Sequence, residues 1–281
     1  MPVRQPIIIE PREGLCNRMR TLDAAVALSR KLNRPLIINW RMDDRLNCRL
    51  SELFDYKDGH GQIEEHLYLG LFHRLRRRAR IAVLQLTGGI YLQQATVEAY
   101  LREGRSFEDL KDSRKIFIST WDQFYPSNQL AQNFVPVKAL LTKIEALTLD
   151  KDNLVGVHIR RTDHGPSSER SPLWRFVELM DEEIRHDPGV QFFVASDSHA
   201  DEARLLDRFP GRIITHPKKS LDRNDPRAIK DAVVDLYCLA ACRKLLGSYR
   251  SSFSDVAWKL RGIDRVIVDI HSDGESNSDR V

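Results

Sequence analysis

The chain has few cysteines: Cys16, Cys48, Cys238 and Cys242 among 281 residues. They form no CxxC pair and stand at no zinc-ligand spacing from a histidine, so neither a metal knuckle nor a redox dithiol is expected. Cys238 and Cys242 lie four apart, the spacing of one helical face, which fits core packing better than a disulfide. A reducing cytoplasm is the expected compartment. No apolar run approaches the roughly 18 residues that a membrane span needs. Met1-Pro2-Val3-Arg4-Gln5-Pro6 lacks the apolar centre of a signal peptide. There is also no GxGxxG fingerprint, no Walker lysine, no short repeat and no low-complexity tract.

What is present is ordinary for a soluble globular protein: 42% hydrophobic and 30% charged residues. Length allows one or two domains with a large core. A net charge of +4 suits a phosphorylated ligand without compelling nucleic-acid binding, and no nucleic-acid partner is expected.

Apolar runs and helical spacing alternate along the chain. Ile7-Ile8-Ile9 reads as a strand, residues 17–33 as a helix and Leu36-Ile37-Ile38 as a second strand, which together make a βαβ unit and favour a parallel sheet. Residues 60–113 read as mostly helical. Ile116-Phe117-Ile118 is a strand and 136–147 a helix. The alternation then repeats. The strand expectations are Leu154–Ile159, Gln191–Ala195, Arg212–Ile214, Lys244–Gly247 and Arg265–Val268. Helices are expected near 174–185, after Ser198, at 225–242 and at 251–260. Ser198 and Asp201 resemble a capping box. The tail from Ser272 is polar. The expected architecture is α/β with two Rossmann-like halves facing across a cleft, 1–150 and 151–281.

The most informative stretch is His158-Ile159-Arg160-Arg161-Thr162-Asp163. It follows the apolar run Leu154–Val157, placing two guanidiniums at a strand's C-terminal end, where open α/β sheets bind ligands. Cations there are costly unless an anion meets them, and arginine's planar fork matches phosphate oxygens. Alternation puts His158 and Arg160 on one face and Arg161 on the other. Arg160 is therefore expected to face a ligand and Arg161 to brace the loop with Asp163. The competing reading is an Arg–Asp pair closing a turn.

Three other strand-to-helix junctions are polar. Gly14-Leu15-Cys16-Asn17-Arg18 opens the first helix, where Asn17 either caps it or meets a ligand. Ser196-Asp197 ends an apolar strand. Ser248-Tyr249-Arg250-Ser251-Ser252-Phe253-Ser254 offers hydroxyls and N–H groups at a helix start, with Asp235 on the preceding helix directed to the same region. Each alone is also what a plain helix start looks like; four in one chain point to a ligand edge.

Val155–Asp163 resembles the HxRRxD motif of GDP-fucose-dependent fucosyltransferases, among them the α1,6-, α1,2- and protein-O-fucosyl groups and the rhizobial nodulation fucosyltransferase. Gly14–Arg18 is similar to their N-terminal GxGNxx element, with Ile38-Asn39-Trp40-Arg41 at the end of the next strand. Val194–Asp197 resembles their second motif, and Asp235 with Ser251-Ser252-Phe253 their third. The match runs over about residues 7 to 260. The resemblance implies a GT-B fold and an inverting, metal-independent transfer of fucose from GDP-fucose to a hydroxyl of a glycan or oligosaccharide acceptor, lipid-linked acceptors included. It puts Arg160 on the donor's β-phosphate, His158 beside the donor, Asp235 on the guanosine side and Ser251, Ser252 and Phe253 around the diphosphate and nucleoside. Asn17, with Arg18, falls near the phosphates; Asp163 and Asp197 complete the donor set. Cys16 stands where the family has glycine, and Arg250 where a small residue is usual. No cofactor is implied beyond the donor.

Glu169, in the loop Gly165–Glu169, is the nearest candidate base for an acceptor hydroxyl; its plain alternative is a solvated carboxylate. Asp150-Lys151-Asp152 matches a metal-binding DxD pattern but precedes its strand, so it reads as linker charge. The basic run Arg74, Arg76, Arg77, Arg78 and Arg80 is either a solvated face or a peripheral contact with the inner membrane surface. Alternatives to fucose transfer are another nucleotide sugar, or non-catalytic binding of a nucleotide sugar or glycan.

Overall fold

The structure, a computed structural model, describes residues 5–55, 61–68, 70–148, 153–161 and 165–271. Thr162, Asp163, Asp150–Asp152 and the tail from Ser272 lie outside the described residues. The chain divides into two compact units, Met1–Val135 with Asp222–Ile229, and Pro136–Leu221 with Lys230–Val281. The short returning segment joins the first unit through Asn47, whose N–H donates to the Arg223 carbonyl and whose side-chain amide donates to the Asn224 carbonyl.

In the first unit β1 (Ile7–Pro11), α1 (Leu15–Leu32) and β2 (Leu36–Met42) form the expected βαβ start. β3 (Gly61–Leu67), α2 (Leu71–Leu86), β4 (Ile90–Gln93), α3 (Gln94–Arg102), β5 (Ile116–Thr120) and α4 (Leu130–Asn133) follow. All pairings are parallel, in the order β3-β2-β1-β5-β4. Ile7, Ile9, Ile38, Ile116 and Ile118 are buried in the sheet, and Met19, Leu22, Ala25 and Val26 line the buried face of α1. Residues 60–113 are largely helical as expected, in α2, α3 and a 3₁₀ stretch at Phe107–Asp112, but they also hold two strands that were not expected. β3 and β4 are outer strands of the sheet. β3 carries Glu64, Glu65 and His66, which broke its apolar alternation, and β4 spans only Ile90–Gln93.

In the second unit the described elements begin with α5 (Lys138–Leu147) and β6 (Leu154–Ile159). They continue with α6 (Gly165–Arg170), α7 (Leu173–His186), β7 (Gln191–Ser196), α8 (His199–Arg208) and β8 (Ile213–Thr215). α9 (Pro226–Ala241), whose first turn belongs to the first unit's returning segment, β9 (Lys244–Ser248), α10 (Ser252–Arg261) and β10 (Asp264–Val268) complete it. The sheet is parallel in the order β10-β9-β6-β7-β8. Val155, Val157 and Ile159 share one core with Phe176, Met180, Phe192, Val194, Leu205 and Leu246. Because β6 lies between β7 and β9, the chain reverses winding direction at the β6–β9 pair. That reversal opens a crevice at the strands' carboxyl ends, the place where doubly wound sheets take their ligands. The segment from Gly165, expected as a loop, forms α6.

Candidate active site at the β6–β9 switch point

The register pairs His158 on β6 with Gly247 on β9, so the arginine pair emerges at the switch point. Ser248 Oγ accepts the Arg160 N–H at 3.0 Å and donates to the His158 carbonyl at 3.0 Å. It thereby fixes the turn from which Arg160 projects. The Arg160 guanidinium lies 3.1 Å from Asp197 at the end of β7, with its side chain 24% exposed. A partly exposed guanidinium at a strand's carboxyl end is a group whose planar fork matches an anion's oxygens.

Arg161 turns the other way. Its Nε donates to Asp201 at 2.6 Å, its Nη1 to the Ser171 carbonyl at 2.8 Å, and its backbone N–H to Asp197 at 2.7 Å. Ser171 Oγ in turn accepts the Tyr249 N–H and donates to Val268. Arg161 therefore ties the turn after β6 to α8 and, through Ser171, to the loop after β9. The partner expected for it, Asp163, is outside the described residues.

His158 is buried. Its Nδ1 lies 2.8 Å from Ser254 Oγ, and its ring stacks on Phe253 with centroids 4.8 Å apart. Burial, with Arg160 and Lys218 nearby, pushes its pKa down to about 3. The ring is thus neutral at ordinary pH, which removes it as a proton donor in its charged form. What it does is position the start of α10. Gly247 makes this possible, since a Cβ there would come within 2.8 Å of Ser254. Ser251 caps α10 without a side-chain hydrogen bond, so the first-turn N–H groups remain directed outward at the positive end of the helix dipole.

A buried ionic cluster adjoins this edge. Lys218, its side chain 4% exposed, lies 2.7 Å from Glu202 and 3.1 Å from Asp235. His216 sits 3.7 Å from Asp235 on one side and 3.7 Å from Asp231 on the other, beyond ordinary hydrogen-bond length. Burial pushes the Asp235 carboxyl up to about 7 against the pull of Lys218. The Lys218 ammonium is itself held above its usual pKa, since Asp235 and Glu202 outweigh its burial. Lys218, Glu202 and His216 were not found in the sequence. A lysine after a short strand reads as solvent-facing, and only the fold buries it.

Asn17 and Arg18 belong to the first unit. Gly14, not Asn17, is the N-cap of α1; Asn17 sits in the first turn, accepting from Arg20 at 2.7 Å. Arg18 is wholly buried: its Nε donates to the Glu13 carbonyl at 2.7 Å, Nη2 to Asp43 at 2.8 Å and Nη1 to the Arg41 carbonyl. Burial lowers its pKa to about 10, which leaves it charged. Its geometry shapes the loop before α1. The left-handed residue of that loop is Glu13, at φ 65°. Cys16 is already helical, so no glycine is needed there. Arg250, by contrast, has φ 49°.

The same unit buries Glu10 at the end of β1. It accepts from Arg77 at 2.7 Å, Ser119 at 2.8 Å and Asn39 at 3.0 Å. Its burial would raise its pKa, but Arg77, Arg41 and Ser119 bring it below the usual range. Arg77 is therefore an internal residue and leaves the set of surface arginines. Glu169 is exposed on α6, and Asp235, Ser251, Ser252 and Phe253 all fall in the second unit. Among the described residues no cluster of three His, Cys, Asp or Glu side chains forms a metal site, and no helix is long and apolar enough to cross a membrane.

No protein-family model matches the chain, and no curated protein matches it in sequence. Solved structures do match in fold. NodZ α-1,6-fucosyltransferase soaked with GDP-fucose aligns with TM-score 0.66 and 18% identity over 97% of both chains. Fucosyltransferase NodZ from Bradyrhizobium gives 0.68 and 17% over 97% of both. A mutant of Arabidopsis thaliana FUT1 in complex with GDP gives 0.61 and 13% over 94% of this chain and 70% of that one. Similarity at these identities carries the architecture: two Rossmann-like α/β units of the GT-B kind, as in these fucosyltransferases.

Proposed function

We propose that the protein transfers fucose from GDP-fucose to a hydroxyl of a glycan or oligosaccharide, with inversion at the anomeric carbon and without a metal ion. The observation that carries this reading is the position of Arg160 at the carboxyl end of β6, its backbone N–H held by Ser248 at the β6–β9 switch point. The HxRRxD pattern and the fucosyltransferase fold support it, and two of the fold relatives named above were solved with GDP-fucose or GDP.

In this reading the acceptor oxygen attacks the anomeric carbon. The bond from that carbon to the β-phosphate oxygen breaks, its electron pair stays on GDP, and the hydroxyl proton passes to a base, for which Glu169 is the candidate. Arg160 and the N–H groups of α10 stabilise the charge growing on the diphosphate. They do so from fixed positions, so little reorganisation is needed as the bond breaks. Asp197 holds Arg160 until the donor arrives, and Asp235, with Lys218, lies on the guanosine side. Ser251, Ser252 and Phe253 enclose the diphosphate and nucleoside, and neutral His158 keeps Phe253 and Ser254 in place. Asn17 stays in the donor set on the resemblance, while Arg18 acts by shaping the loop before α1. Asp163 remains part of the donor set.

Thermal unfolding with GDP, GDP-fucose and GDP-mannose tests the reading. At a hundredfold excess over Kd, binding adds about 2.7 kcal/mol of stability. GDP and GDP-fucose should raise the midpoint and GDP-mannose should raise it less. A larger rise with GDP-mannose would overturn the fucose assignment, and no rise with any of the three would overturn the donor site.

A further inference from the structure

α2 is a 16-residue helix, LFHRLRRRARIAVLQL, with five arginines and no acidic residue. It is fastened to its unit along one side only. Leu84 packs with Ile8 and Phe117, and Arg77 reaches down to Glu10. A cavity of about 420 Å³ adjoins it, its lining including Arg77 and Leu84 of the helix and Asn39 and Phe117 of the sheet, with Val83 at its rim. On its outer side Phe72 is 70% exposed, Leu75 53%, Val83 59% and Leu86 86%. At 3.6 residues per turn these four, with Ala79, fall within an arc of about 80°. Arg74 and Arg78 border that arc on one edge, Arg76 and Arg80 on the other, all four exposed.

An exposed apolar stripe of this size is not left to water without a use. We propose that α2 docks the protein on an anionic lipid bilayer, lying in the plane of the interface. Phe72, Leu75, Val83 and Leu86 would enter the acyl boundary while the flanking arginines, whose stems follow the stripe, reach the headgroups. Charge selects this occupant. A second copy packed on the same stripe would bring both arginine borders against their like, and among the described residues the acidic neighbour bonded to them is Glu64, 3.6 Å from Arg80. Nucleic acid would meet the arginines but leave the apolar centre without a partner. The inference goes beyond the donor reading and does not rest on it.

The test is sedimentation of the full chain with phosphatidylcholine vesicles, with and without phosphatidylglycerol. Binding only to the anionic vesicles is expected. Arg74→Gln with Arg78→Gln should weaken it by about fivefold per charge. Phe72→Ser with Leu86→Ser should weaken it by at least tenfold, with circular dichroism and thermal midpoint unchanged, because both side chains are exposed. GDP protection read on the same samples reports the donor site separately. Equal binding to both kinds of vesicle, no binding to either, or binding unaffected by the serine pair would overturn the proposal. So would a dimer in sedimentation velocity that the serine pair dissolves.

Discussion

Replacing Lys218 by methionine removes the only ammonium bonded to Glu202 and Asp235 among the described contacts, and keeps nearly the same side-chain length. Breaking a buried ion pair by deleting one partner typically costs about 3–5 kcal/mol, because the other charge is left desolvated. The loss should also depend on pH, and the sign follows from Asp235. Its folded pKa, about 7, lies above the usual carboxylate value. The folded state therefore holds a proton that the unfolded state has released, and stability falls as pH rises until Asp235 ionises. With Lys218 present that fall levels off above pH 7. Without it the carboxyl is raised further and the fall continues. The deficit of the variant should therefore grow by about 1 kcal/mol between pH 7 and pH 8, from 1.36 kcal/mol per pH unit less the part already titrated. Urea unfolding at the two pH values, with equal m-values, reads this directly. A deficit that is the same at both pH values, or one below about 1 kcal/mol, would refute the reasoning.

Other expectations follow from the same geometry. Gly247→Ala should push Ser254 away and loosen the start of α10, lowering the thermal midpoint; an unchanged midpoint would refute the close approach. For His158→Gln, the unfolded wild type gains a proton below pH 6.5 that the buried ring refuses until about pH 3. The stability advantage of wild type should therefore shrink by about 2 kcal/mol between pH 7 and pH 5, and a constant difference in urea titrations would contradict this. Glu169→Gln should lower kcat by about 10²–10⁴ with GDP affinity retained; an undiminished rate would remove Glu169 as the base.

The strands that carry the candidate site were legible because buried parallel strands read as short apolar runs: β6 matches its expected span at both ends. The polar junctions were legible because hydroxyls, amides and arginines are costly at buried strand ends. β3 and β4 were not, being outer strands that tolerate charge or have too few residues for a period to show. Pairings distant in sequence were hidden as well. Nothing local distinguishes Arg77 from its neighbours in the basic run until Glu10, 67 residues away, claims it. Lys218 depends in the same way on Glu202 and Asp235. Arg161 was legible as a brace, but its partners Asp201 and Ser171 become visible only in the fold.

The most direct test of the central claim is transfer of labelled fucose by wild type and Arg160→Ala. Arg160 ends β6 with its side chain 24% exposed, so the variant should fold and unfold as wild type does. Its kcat/KM should fall by about 10²–10³, the usual worth of one preorganised donor to a developing oxyanion. Near-normal transfer by a folded Arg160→Ala protein would contradict the account.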